Sequence, residues 1–110
     1  MSARLAAHVW VAAYLRRLQL EGIPAYVIRK GDATAGAVLV KLARMDGQAQ
    51  AFTRSFDLES GARVWQELCA GPEPEVDAAV TRQCGFDPDL WVIEVEDARG
   101  RHLLDDMEGR

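Results

Sequence analysis

The sequence has little of what most catalytic or metal sites require. Its two cysteines, Cys69 and Cys84, belong to no CxxC pair, so they predict reduced, partly buried thiols and neither a disulfide framework nor a zinc site. The two histidines, His8 and His102, lie in no nucleophile motif with a serine or cysteine, which argues against a catalytic triad. The familiar signatures of an enzyme are therefore missing.

The sequence also lacks a long apolar run. Residues 1–22 are rich in apolar side chains, but His8, Arg16 and Arg17 interrupt them and no basic leader precedes them. This segment predicts neither a signal peptide nor a membrane span. We therefore expect a cytoplasmic protein that has no membrane partner.

What is present is an ordinary globular composition. Hydrophobic residues make up 49% of the chain and charged residues 27%, close to the average for folded domains and unlike disordered chains. A chain of 110 residues is long enough for one domain with one hydrophobic core. We expect a single globular domain over residues 1–110, with a frayed, charged tail after residue 104.

The charges are divided unevenly along the chain. The net charge is −4, but residues 1–54 carry +5 and residues 55–110 carry −9. Such asymmetry indicates a protein partner or self-association, because oppositely charged surfaces steer molecules together. The basic half also allows nucleic-acid binding, which the overall acidity opposes. The cations that would contact phosphates are Arg16, Arg17, Arg29, Lys30, Lys41 and Arg44.

Two segments have helical patterns. Apolar side chains recur along one helix face near residues 8–20, and Gly22 and Pro24 end that pattern. Residues 74–85 begin with a proline among acidic residues, as a helix start does, and end at Gly85, which suits a helix cap. We predict one helix in each segment.

The remaining pattern predicts about five or six strands. Asp46-Gly47 between two β-rich runs is a strong hairpin signal, and residues 37–40 are apolar on both faces, as in a central strand. Residues 61–69 also fit helical spacing, and we assign them as a strand. The predicted strands are residues 25–30, 37–44, 48–56, 61–69, 90–96 and a short final one at 101–104.

Two helices on a mostly antiparallel sheet make an α+β fold. The strands at 61–69 and 90–96 with the helix between them could also form one parallel crossover. For the last two strands we expect a hairpin, closed by a turn at residues 97–100. That hairpin would place Glu96 opposite Arg101 and Glu94 opposite Leu103.

One stretch, "FDPDLWVIEVEDARG" at residues 86–100, holds five carboxylates and is the strongest candidate for a site. Convergent carboxylates are what a divalent cation or an acid–base pair needs. The stretch faintly resembles the PD…ExK pattern of some nucleases, although residue 96 is Glu where that pattern has Lys. The five acids are Asp87, Asp89, Glu94, Glu96 and Asp97.

The alternation of side chains along a strand divides this acidic cluster. Glu94 and Glu96 have the parity of one face of the sheet, whereas Asp89 and Asp97 have the parity of the other. We therefore interpret the acids as scaffold and predict no catalytic residue, metal or cofactor. The same four acids remain the candidates for a metal-dependent hydrolase or nuclease.

Other candidates are weaker. "RKGDATAG" (29–36) has cations before a glycine-bearing loop but not the Walker order, so we interpret it as a solvated turn and not a phosphate site. The three tryptophans are expected in the core. The exposed cations that could contact a partner are Arg16, Arg17, Arg29 and Lys30.

Four segments together resemble a known family of short bacterial proteins. They are "WVAAYLRR" (10–17), "GAVLVK" (36–41), "RQCGFDPDLWVIEVED" (82–97) and "GRHLL" (100–104). The family is domain of unknown function 1491, which occurs mainly in alphaproteobacteria. The resemblance implies a cytoplasmic bacterial domain and carries over no activity, cofactor or site residue.

These observations favour a non-enzymatic module that binds a protein partner or itself. This hypothesis is based on the charge asymmetry together with the absence of a convincing set of catalytic residues. A nucleic-acid-binding accessory protein is the second hypothesis, and a small metal-dependent hydrolase or nuclease is the third.

Overall fold

The computed structural model of the protein describes residues 5–56 and 63–107. It confirms the α+β class and the two predicted helices. Five of the predicted strands are present in this part of the chain, and residues 61–62 of the fourth lie outside it. The elements are α1 (Ala7–Leu20), β1 (Ala25–Arg29), β2 (Val38–Ala43), β3 (Gln48–Phe56), β4 (Arg63–Pro72), α2 (Glu73–Phe86), β5 (Trp91–Glu96) and a 3₁₀ helix (Leu104–Met107).

The five strands form one mixed sheet in the order β1-β5-β2-β3-β4. Three of the neighbouring pairs are antiparallel, and only β2 and β5 are parallel. It follows that β4 and β5 run in the same direction with α2 between them in the chain. This connection is the parallel crossover that the sequence allowed, and it passes over two strands.

The centre of the sheet is the predicted hairpin of β2 and β3. All six residues of β2 are buried, as expected for a strand that is apolar on both faces. In the turn, Met45 and Gly47 have φ angles of 66° and 89°, and the Asp46 carboxylate accepts a hydrogen bond of 3.0 Å from the Gln48 N–H. The Asp-Gly turn therefore sets the register of the hairpin.

The two helices lie on opposite faces of the sheet. α1 packs through Trp10, Tyr14 and Leu18 on the face formed by Val40, Ile93 and their neighbours of the same parity. α2 packs on the other face, where β3 presents only small side chains, Ala49 and Ala51. Because these residues are small, a helix can approach the backbone closely. We call these faces the α1 face and the α2 face.

Residues 101–104 do not form the predicted final strand. β5 pairs with β1 on one side and with β2 on the other, so both of its hydrogen-bonding edges are occupied and a hairpin partner has no place. The chain instead crosses to the α1 face, where Leu104 is buried in the core and the Tyr14 hydroxyl donates to the His102 carbonyl oxygen at 2.7 Å.

The end of α2 also differs from the prediction. Gly85 does not cap α2, which continues to Phe86 and ends at Asp87, because Asp87 precedes Pro88 and a residue before proline avoids the helical region. Residues 105–107, the first three residues of the charged tail predicted after residue 104, belong to the 3₁₀ helix. Residues 108–110 of that predicted tail lie outside the described residues.

Candidate functional site

The acidic cluster begins with two aspartates that organise a turn. The N–H of Asp89 donates to Oδ1 of Asp87 at 3.0 Å, and the Asp89 carbonyl accepts a hydrogen bond of 3.0 Å from the N–H of Asp32. The first is the local side-chain contact that aspartate makes in turns, and the second is a backbone hydrogen bond to a distant loop. The two residues join α2 to β5 and to the loop after β1.

Asp97 is a buried acid at the opposite end of β5. It accepts hydrogen bonds from the backbone N–H of Arg101 at 2.7 Å and from its guanidinium at 3.0 and 3.1 Å. The bond from the Arg101 guanidinium lowers the pKa of Asp97. The predicted partner of Arg101 was Glu96, and that prediction is wrong because the turn at residues 97–100 leads into no strand.

The pairing predicted for Glu94 is also wrong. Glu94 lies beside Tyr26 of β1 and Lys41 of β2, and not opposite Leu103. Its carboxylate is 3.5 Å from the Lys41 ammonium, on the α2 face that its parity predicted. Glu96, two residues further on β5, lies beside Ala43 of β2.

Lys41 is the residue whose role the sequence reasoning missed. Its ammonium lies 2.7 Å from Glu73 and 2.6 Å from Asp77 at the start of α2, and its side chain is only 7% exposed. Burial alone would lower the pKa of Lys41, but the hydrogen bonds to Asp77 and Glu73 and the charge of Glu94 outweigh it and raise the pKa. A charged group inside an otherwise apolar strand was the available signal.

This ion network fastens α2 to the centre of the sheet. Lys41 is enclosed and is therefore not available to the phosphate contact proposed for it. In residues 5–56 and 63–107, no three His, Cys, Asp or Glu side chains are grouped so that they could hold a metal ion. Where three carboxylates do approach one point, the Lys41 ammonium occupies it.

The loop in "RKGDATAG" is built into the scaffold. Its carbonyls at Ala33 and Thr34 accept hydrogen bonds from the first amides of α1, a helix that has no side-chain cap. The Trp91 indole donates to the Asp32 carbonyl at 2.8 Å. A Cβ at Gly31 would overlap the Asp89 carbonyl oxygen. The loop therefore caps α1 and packs on β5. It makes more contacts within the fold than the solvated turn that the sequence predicted.

The tryptophans lie in or against the core, as predicted. Trp10 and Trp91 are buried, and Trp65 is half-buried against the same cluster. The Arg54 guanidinium lies 5.0 Å from the Trp10 ring and 5.2 Å from the Trp65 ring. This cation–π arrangement joins α1, β3 and β4, and no sequence pattern indicated it.

Of the four cations predicted to contact a partner, two have clear internal contacts. Arg17 lies 3.1 Å from Glu21 and 2.8 Å from Asp106, and Arg29 donates to the Pro88 carbonyl at 3.0 Å. Together with Lys41, Arg17 shows that the basic half of the chain is partly neutralised by the acidic half inside the fold.

Arg16 and Lys30 are exposed near opposite ends of β1. Arg16 donates a 3.4 Å hydrogen bond to Gln19, one turn further along the helix. These two cations, with Arg29, leave positive charge at both ends of this strand.

β1 is an edge strand whose outer side has no partner among the described residues. Its burial pattern shows no alternation, and the side chains of Tyr26, Val27 and Ile28 are 50%, 41% and 59% exposed. Three consecutive exposed apolar residues on an open edge are unusual, because natural edge strands carry charges or prolines that block pairing.

The hydrogen bonds of β5 show which backbone groups of β1 are unpaired. The Glu96 N–H donates to the Pro24 carbonyl, whereas the Asp97 N–H bonds to β2. Hydrogen-bonded pairs recur every second residue in an antiparallel ladder, so Tyr26 is the next residue to bond to β5. The N–H and C=O groups of Ala25 and Val27 therefore point away from the sheet.

A groove of about 730 Å³ lies between α1 and the start of β1. Arg16 is the one charged residue among the described residues that line it. Its apolar lining includes Leu15, Ile23 and Ala25. The full lining is Ala12, Leu15, Arg16, Gln19, Gly22, Ile23, Pro24, Ala25 and Tyr26.

The sequence predicted β1 as a strand but gave it no function. An apolar run such as "AYVI" is typical of a strand buried on both faces, so nothing in the run itself distinguishes an edge from the centre of the sheet.

Among the described helices, none is long and apolar enough to cross a membrane.

Comparison with known proteins supports the resemblance noted in the sequence. A family model described as a protein of unknown function (DUF1491) matches residues 5–105. A search of curated proteins gave no match. The family model covers nearly the whole described fold, including β1 and the groove.

Three solved structures are similar in sequence and fold. The crystal structure of a DUF1491 family protein from Caulobacter crescentus is 46% identical, covering 92% of this chain and 95% of that one with a TM-score of 0.85. An NMR structure of a DUF1491 family protein from the same organism is 45% identical, covering 94% of each chain with a TM-score of 0.81. The solution structure of a protein from A. tumefaciens is 30% identical, covering 86% of each chain with a TM-score of 0.73.

Proposed function

The chain belongs to the DUF1491 family, and we propose that it is a non-enzymatic protein-interaction module whose contact surface is the outer edge of β1. The observation that carries this proposal is the run Tyr26, Val27 and Ile28, exposed on an edge strand. An added strand would bury this apolar surface and satisfy backbone groups that are now left to water.

The other edge of the sheet supports the same conclusion by contrast. β4 carries Glu67, which accepts a 2.7 Å hydrogen bond from Gln50, has a register shift in its middle, and ends at Pro72. A charge, an irregularity and a proline are the usual means of preventing edge pairing. In β1 the irregularity follows Val27, so the first three residues remain regular.

A site-specific cross-linking experiment tests the proposal. A photoreactive amino acid at Val27 should form cross-links to one defined protein, or to a second copy of the chain, whereas the same group at Leu68 on β4 should not. The cross-linked protein is then purified and its binding to the unmodified chain is measured in isolation. Capture from cells alone does not count as support.

The matched variant is Val27→Pro. Proline removes an N–H that points outward, so it should leave the fold intact while it blocks an added strand. We expect Val27→Pro to lower the affinity for the purified partner at least tenfold. Unchanged affinity, or equal cross-linking from Leu68, would mean that the edge of β1 is not the contact surface.

A further inference from the structure

We infer that the segment bound at β1 is an extended acidic peptide, which adds as a sixth strand and places its carboxylates on Arg16 and on the Arg29-Lys30 pair. This inference rests on the proposed function and names the chemistry of the partner. It follows from the direction of the backbone groups, the form of the groove and the placement of the charges.

The backbone groups require an extended partner. Because the N–H and C=O groups of Ala25 and Val27 point outward, they present four hydrogen-bonding groups with the spacing of a strand. A helix satisfies its own backbone groups internally and would leave these four unpaired. An extended segment satisfies all four.

The groove beside β1 supplies apolar side chains that an added strand can contact. Because α1 packs on one face of the sheet, a strand added along the open edge of β1 would direct alternate side chains toward Leu15 and Ile23 in the groove. A strand that is apolar at every second residue fits this arrangement.

The charges favour an acidic occupant. Arg16 lines the groove at the start of the strand, and Arg29 and Lys30 lie at its other end, about 13 Å away along an extended chain. No carboxylate lines the groove among the described residues. A peptide with an acidic residue at each end would therefore meet a cation at each end.

A second copy of the chain fits less well. In a register that pairs Ala25 and Val27 with Val27 and Ala25 of the other copy, Tyr26 would lie on the two-fold axis. The start of β1 in one copy would then lie beside the end of β1 in the other, so Arg16 would approach Arg29 and Lys30, and β1 itself contains Arg29 and no acid. Like charges would meet where a peptide supplies opposite ones.

The probe is a synthetic seven-residue peptide, Glu-Val-Thr-Val-Thr-Val-Glu, blocked at both ends and titrated into ¹⁵N-labelled protein at low salt. We expect the amide signals of Ala25 and Val27 to shift, with a Kd on the order of 10⁻⁴ M. A peptide with lysine in place of both glutamates should bind about tenfold more weakly.

A charge exchange gives the sharpest test. Arg16→Glu should weaken binding of the glutamate peptide about fivefold and strengthen binding of the lysine peptide, because the attraction at that end is reversed. Arg82→Glu makes the same change on an exposed residue of α2 on the other face of the sheet, and it should alter neither titration.

The outcomes separate this inference from the proposed function. If neither peptide binds, or both bind equally, the inference of an acidic partner fails. The proposed function still stands in that case if Val27→Pro abolishes binding to the purified cross-linked protein, or abolishes self-association of the chain. If the cross-linking test fails as well, both are wrong.

Discussion

β5 and β1 are neighbours in the sheet, and they differ in almost every chemical respect. β5 and its two turns hold five carboxylates, yet those with clear contacts are used inside the fold: Asp97 by Arg101 and Glu94 by Lys41. β1 carries no acid, but its outer backbone groups have no partner among the described residues and three of its apolar side chains are 41–59% exposed.

The difference teaches where a functional surface is to be sought in this fold. Dense chemistry in a sequence often marks ion pairs and turns that hold elements together, because buried charges need partners. A surface available to another molecule is recognised instead by groups that the fold leaves unsatisfied. On this basis we propose β1 as the interaction surface and interpret β5 as scaffold.

The largest effect is expected from proline at adjacent positions of β1. Tyr26→Pro removes an N–H that bonds to β5 and should lower the free energy of unfolding by about 3 kcal/mol. Val27→Pro removes an outward N–H and should cost less than about 1 kcal/mol. Urea denaturation of both variants measures the difference, and equal costs would contradict the assigned direction of the backbone groups.

A smaller effect is expected at the ion network beside β5. Lys41→Met leaves Glu73, Asp77 and Glu94 without their shared cation and should lower the free energy of unfolding by about 2 kcal/mol. Breaking a fully buried ion pair costs more, and the cost is smaller here because these carboxylates are partly exposed. Lys30→Met, at an exposed lysine, is the control and should cost less than about 0.5 kcal/mol.

The same variant sharpens the comparison of the two strands. If β5 is scaffold, Lys41→Met should retain the peptide affinity of the unmodified protein at temperatures where it is folded. Loss of binding in a folded Lys41→Met protein would show that the ion network takes part in the interaction surface.

The smallest effect is expected at Asp97, and it depends on pH. The pKa of Asp97 is lower in the folded protein than its ordinary 3.8. The stability that its ionised carboxylate contributes is therefore fully present above about pH 4 and is lost as the pH falls through the folded pKa. Asp97→Asn should therefore destabilise the protein at pH 7, by less than Lys41→Met does. The difference in melting temperature between the variant and the unmodified protein should narrow below pH 4, which thermal melts in a pH series measure.

The sequence predicted most of the fold because its local signals are strong. The Asp46-Gly47 turn fixed one hairpin, and strand parity placed Glu94 and Asp97 on opposite faces. Residues 101–104 were assigned wrongly because their pattern is that of a strand, and only the sheet order shows that β5 has no free edge. Local sequence carries no information about which strands become neighbours across a sheet.

The candidate site was harder to predict for the same reason. An edge strand and a central strand can share one apolar pattern, so the exposure of Val27 depends on the order of strands and not on its own segment. Lys41 was visible as a charge in an apolar run, but its three partners come from α2 and β5, which are distant in the chain.

Amide hydrogen exchange in β1 tests the central claim most directly. In the free protein at low concentration, the Val27 amide should exchange at least about a hundredfold faster than the Tyr26 amide, because only the latter is bonded to β5. If the two amides are equally protected, the outer side of β1 is already covered, and the interaction surface proposed for it does not exist.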